Sequence, residues 1–153
     1  MAGLIRNLTE IRWGTIPGLD FGASPQQDEW WEQIGLHVRV LGNGETLAMY
    51  HRENDQEDFL VLDGEGTLLV EGEERPLRQW DFVHCPPGTA HVLLGGPMTV
   101  VAVGARPVTD LVFPAEPLAQ RHAVGVAAET GDRAVAYAGV AGLERVPYSG
   151  WLE

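Results

Sequence analysis

Four side chains have the types and the spacing for metal or acid–base chemistry: His51, Glu53, Glu57 and His91. The first three share parity with the apolar residues Phe59 and Val61. Alternate side chains of an extended segment face the same side, so this face is expected to point inward. His91 follows Pro86-Pro87-Gly88-Thr89-Ala90, where a turn re-enters a strand. An inward His or Glu is costly unless it is paired or coordinated, and a divalent cation resolves that cost. Neutral imidazole and carboxylate suit zinc, iron, manganese or nickel, and two histidines with one carboxylate leave positions open for water or substrate. If Glu53 also binds, two His and two Glu neutralise the ion and favour oxygen-loving metals. If it does not, Glu53 is a candidate catalytic general base.

The elements that must position these residues are short strands. Residues 34–40 alternate and stop at Gly42-Asn43-Gly44; residues 46–51 form the next run, followed by a polar stretch to Asp58. Phe59-Leu60-Val61-Leu62 ends at Asp63-Gly64, and Thr67-Leu68-Leu69-Val70 ends at Glu71-Gly72. The Asp-Gly pair predicts a hairpin between these two runs. Phe82-Val83-His84 ends at Pro86-Pro87-Gly88, His91-Val92-Leu93-Leu94 ends at Gly95-Gly96-Pro97, and residues 98–103 form the last apolar run. Evenly spaced short strands without an intervening amphipathic helix predict an all-β sandwich or small antiparallel barrel. A length of 153 residues fits one domain, expected as an irregular arm (1–33), a barrel core (34–106) and a C-terminal tail (107–153). Within the tail, Asp132 is expected to cap a short helix over 133–138.

The same residues resemble the two motifs of the cupins, a superfamily of small β-barrels. His51-Arg52-Glu53-Asn54-Asp55-Gln56-Glu57, with Gly64 seven positions on, is similar to the first, of the form G-x5-H-x-H-x3,4-E-x6-G. Pro86-Pro87-Gly88-Thr89-Ala90-His91 is similar to the second, of the form G-x5-P-x-G-x2-H-x3-N. The resemblance implies a jelly-roll barrel, with His51, Glu57 and His91 as metal ligands and Glu53 as a ligand by position only. It also implies a dimer and reactions such as oxygenation, isomerisation, epimerisation or decarboxylation. The chain departs from the pattern in four places. Glu53 stands where the family has its second histidine, and one extra residue separates Gly44 from His51. Trp80 replaces the glycine that opens the second motif, and Gly95 replaces its final asparagine.

Composition narrows the chemistry further. The formal charge is -12, which disfavours nucleic acid and anionic membrane surfaces as partners. There is no lysine, which removes Schiff-base and P-loop chemistry, and Ser24 and Ser149 are the only serines, neither in a nucleophile-elbow context. A single cysteine, Cys85, and the lack of an apolar leader in the first residues lead to the expectation of a cytoplasmic protein. Cys85 is expected to be a buried small residue, and Tyr50 to pack on the face opposite His51. His37 and His84 are candidates to line the cavity, or else structural histidines. Trp30 and Trp31 are candidates for an aromatic rim over the barrel mouth, or else packing residues, and Trp151 for a tail anchor. Two functions follow. The first is a metal-dependent enzyme on a small organic molecule. The second is a non-catalytic module that binds a sugar or metabolite, with or without metal. A homodimer to which the N-terminal segment contributes completes the expectation.

Overall fold

The computed structural model describes residues 5–16, 20–24 and 31–148. Trp30, Ser149 and Trp151 lie outside the described residues. The strands are β1 (Arg12–Ile16), β2 (Asp20–Ala23), β3 (Ile34–Leu41), β4 (Glu57–Val70), β5 (Glu73–Arg78), β6 (Phe82–Cys85), β7 (His91–Ala105) and β8 (Glu144–Pro147). Two short helices, α1 (Pro117–Arg121) and α2 (Arg133–Ala136), lie in the tail. The strands pair antiparallel in the order β5-β4-β7-β3-β2-β1-β8, with β6 also on β4. This is an all-β fold of the small-barrel, jelly-roll kind.

Two long strands replace four expected short ones. β4 runs unbroken through Asp63-Gly64, and its hairpin turn to β5 is Glu71-Gly72 instead. Gly64 is a bulge glycine, not a turn glycine. It has φ +81°, and a Cβ there would stand 2.2 Å from the Pro97 carbonyl oxygen of β7. The β4–β7 register shifts between Val61 and Asp63 and again between Gly64 and Gly66. Such bulges bend a long strand so that one strand serves two parts of a barrel. β7 likewise continues through Gly95-Gly96-Pro97. A Cβ on Gly95 would fall 2.4 Å from the Gly42 carbonyl oxygen, so these glycines let backbones approach closely. The run at 46–51 is not a strand; it touches β7 through single bridges at Thr46–Leu94 and His51–His91.

The lumen is packed with Leu41, Phe59, Val61, Leu93, Met98 and Val100 among others. The outer face of β4 and β7 carries Leu69, Val92 and Leu94, which α1 covers with Leu118 and Ala119. Burial on both faces explains why 91–94 reads as a continuous apolar run. Trp13 of β1 is fully buried beside Ala23 and Val38 on the outer face of β3, and its indole N–H donates to the Leu8 carbonyl. Tail residues Phe113, Val126 and Ala136 pack with Met49 at the other end. Asp132 caps α2 by accepting from the Ala134 N–H, and the helix stops at Ala136, two residues short of the expected end. Tyr50 is buried on the face opposite the site, as its parity requires.

Candidate metal centre

Backbone pairing brings the two histidines together. The His51 N–H donates to the His91 carbonyl (3.2 Å) and the His91 N–H to that of His51 (2.8 Å). Residues directly opposite in an antiparallel pair project to one side, and the two rings lie 5.1 Å apart. The next residue, Arg52, bridges Val112, so the His51 segment is held between β7 and the tail. Glu57 opens β4 opposite Cys85 of β6 and Gly104 of β7. Its Oε2 lies 3.3 Å from His51 Nε2 and 3.1 Å from His91 Nε2. One ligand atom from each of His51, Glu57 and His91 lies within 4.8 Å of the others, a spacing that suits a single metal ion.

The histidine tautomers are set by the other ring nitrogen. His51 Nδ1 is 2.7 Å from the Met49 carbonyl oxygen, and His91 Nδ1 is 3.0 Å from that of Thr89. A carbonyl oxygen only accepts, so both Nδ1 atoms carry a proton and each ring turns its Nε2 toward Glu57. Two Nε2 atoms thus converge on one carboxylate oxygen. Among the described residues the buried side-chain atoms lacking a hydrogen-bond partner are Glu53 Oε1, Glu57 Oε2 and His91 Nε2. Each such orphan costs about 1–3 kcal/mol, and all three lie at this one site. A divalent cation satisfies Glu57 and His91 at once, so the residues fit the metal that their pattern implies.

The protonation energetics express the same demand for positive charge. Burial opposes ionisation of Glu57, but the two imidazoles override it and hold its carboxyl down at about 2. Burial likewise works against a charged His91, yet the neighbouring Cys85 and Glu57 carry it up to about 10. Glu53 is 5% exposed, and burial followed by the charge of Glu57 pushes its carboxyl up to about 7.

Glu53 stands outside the three-atom cluster but lines the same cavity. The rest of its polar loop is tied elsewhere. Asp55 accepts from the Thr109 N–H and hydroxyl, Asn54 donates to Asp110, and the Glu53 carbonyl accepts from the Gly88 N–H. With its neighbours anchored to the tail and the Pro86-Pro87-Gly88 turn, Glu53 turns inward.

The cavity measures about 620 Å³ and adjoins a recess of about 470 Å³ that shares His37, Glu53, Glu57 and Arg133. His37 lines both; burial first, then Arg39 and Arg106, lower it to about 4, so it is neutral. His84 does not line them. It is half-exposed and pairs with Asp58 at 2.6 Å. Cys85 is buried beneath the site, as its context suggested. Trp31 is partly buried and lines neither recess. Sequence reasoning missed Arg39, Phe113, Arg133 and Tyr137 as lining residues. Arg39 was discoverable, because it shares strand parity with His37. The other three come from the tail, whose return over the barrel has no local signature.

Residues 36–104 match the cupin domain family model. No curated protein matches the chain. Among solved structures, it is similar to a candidate sugar phosphate isomerase from Acidithiobacillus ferrooxidans, at 25% identity and TM-score 0.56, over 63% of this chain and 65% of that one. The chain thus spans just under two thirds of that protein's length. It is also similar to an RmlC-like cupin from Shewanella frigidimarina (13% identity, TM-score 0.61, 69% of this chain and 93% of that one). A third is a cupin 2 domain-containing protein from Halorhodospira halophila (11% identity, TM-score 0.58, 71% and 79%). The barrel, the two histidine-bearing segments and the matched family model make residues 36–104 a cupin domain.

Proposed function

We propose that this cupin is a divalent-metal-dependent enzyme acting on a small organic molecule, with His51, Glu57 and His91 as the metal ligands and Glu53 as the catalytic acid–base group. The observation that carries this reading is the convergence of two imidazole Nε2 atoms on one carboxylate oxygen, with Glu57 Oε2 and His91 Nε2 both left without a well-aligned hydrogen-bond partner. A bound divalent ion supplies Lewis acidity toward a substrate carbonyl or hydroxyl at its open positions. Glu53 offers a buried carboxyl oxygen without a hydrogen-bond partner on the same cavity, suited to take a proton from a substrate carbon and return it. Phe59 and Phe113 flank the histidines at centroid distances of 5.5 and 6.2 Å and keep that region apolar. Proton transfer beside a polarised carbonyl is the chemistry of isomerases and related lyases. Likeness to the Acidithiobacillus protein supports an isomerase over the oxygenase alternative. Iron, manganese, nickel and zinc all suit the donor set. One domain, a homodimer and a cytoplasmic location belong to the same proposal.

The test is metal-dependent hydrogen exchange. A panel of hydroxy-aldehydes and hydroxy-ketones is incubated in D2O with metal-loaded protein and followed by NMR. Deuterium enters, or isomers form, with wild-type protein; Glu53→Gln retains the ion but loses at least about 100-fold of the rate. Metal-loaded protein that binds panel members yet exchanges and converts none of them would make it a binding module.

A further inference from the structure

β3 turns Gly35, His37, Arg39 and Leu41 to the lumen, the last in the core and the others lining the cleft. Two arginines are laid across glycines of neighbouring strands. A Cβ on Gly22 of β2 would stand 2.6 Å from Arg39 Cδ and 3.1 Å from its Nη1. A Cβ on Gly35 would stand 2.7 Å from both Nε and Nη2 of Arg106. Each guanidinium thus occupies space that only glycine leaves open. Arg133, the first residue of α2, reaches the same cleft from the tail. Ala102 and Gly104 of β7 oppose His37 and Gly35, so small residues keep room in front of the cations.

This concentration of cations is unusual for a chain of net charge -12. Among the described residues, the carboxylates that line the cleft are Glu53 and Glu57. Glu57 is engaged by the two histidines. The field of Arg39 and Arg106, added to burial, keeps His37 neutral at ordinary pH, which fits a region built to attract negative charge. A guanidinium has five N–H donors in a planar fork, enough to keep a protein neighbour and still grip a carboxylate or phosphate in bidentate fashion. The cavity volume is in the range for a small metabolite.

We infer that the cleft binds a small organic oxyanion, a carboxylate- or phosphate-bearing molecule, whose charged group sits on Arg39 and Arg106 beside His37 and whose other end reaches the His51–Glu57–His91 cluster. The inference rests on the proposed metal-enzyme reading for what happens at that far end; the anion grip itself needs only β3 and its glycine cradles.

Calorimetric titration of the full chain with inorganic phosphate and, separately, with malonate tests it. Both probes are titrated into metal-free and manganese-loaded protein, with manganese uptake measured in a parallel titration. At least one probe binds saturably at one site per chain, and the better probe identifies the oxyanion. Arg39→Gln and Arg106→Gln each weaken it by about tenfold or more. Gly35→Ala, which displaces the Arg106 head without changing charge, weakens it too. Arg75→Gln, the same charge change on the exposed β5 hairpin strand, leaves it within about twofold. Overturning results are no saturable isotherm with either probe, Arg39 and Arg106 variants that bind like wild type, or an equal loss in Arg75→Gln. Anion binding without manganese uptake keeps the inference and removes the metal-enzyme reading; manganese uptake without anion binding does the reverse.

Discussion

Glu57 faces two imidazoles whose Nδ1 atoms are already committed to the Met49 and Thr89 carbonyls. That commitment aims both Nε2 atoms at the carboxylate, the orientation a metal ligand set requires. The inward face of the candidate ligands was legible in the sequence through parity, since Glu57, Phe59 and Val61 do share it. The tautomers were not, since they depend on carbonyls that only the folded backbone places. His37 carries a separate prediction. Its folded value of about 4 lies below the ordinary 6.5, because burial and then Arg39 and Arg106 disfavour the charged ring. Below pH 6.5 the unfolded chain binds a proton that the folded chain refuses. The stability involved is therefore full above about 6.5 and is lost as pH falls through about 4. Denaturation of wild type and His37→Gln across this window should diverge by up to about 3 kcal/mol, with the wild type losing more. Parallel curves would show that His37 does not sit in this cationic, buried setting.

At the scale of elements, alternation located the strands but not their continuity. Asp63-Gly64 has the composition of a hairpin turn, yet the chain runs on, because pairing of β4 with β7 on both sides of the bulge outweighs a local turn preference. The two bulges place Glu57 at one end of β4 and the β5 hairpin at the other. Gly64 and Gly44 both have positive φ, but only Gly64 is crowded; a Cβ on Gly44 meets nothing within 4 Å. Gly44→Ala should cost about 1 kcal/mol for the backbone conformation alone. Gly64→Ala should cost at least about 3 kcal/mol, since overlap with Pro97 adds to it. Urea denaturation of both variants measures the difference, and equal losses would mean that β4 and β7 do not approach so closely at the bulge.

Across the whole molecule, the site is a joint product of distant segments. His51 comes from a loop pinned between β7 and Val112, Glu57 from β4, His91 from the start of β7, and Arg133 and Tyr137 from the tail. The C-terminal tail walls the cavity, which local patterning could not reveal because its contacts are long-range. The N-terminal arm, by contrast, buries Trp13 against β3 and so supports the strand that carries His37 and Arg39 from behind. These segments converge on one proposed ion. The most direct measurement is the metal content of protein purified without chelator or affinity nickel, alongside His51→Ala and His91→Ala. Near-stoichiometric iron, manganese, nickel or zinc is expected in the wild type, lost from both variants. Wild-type protein that carries no metal and takes up none on reconstitution would contradict it.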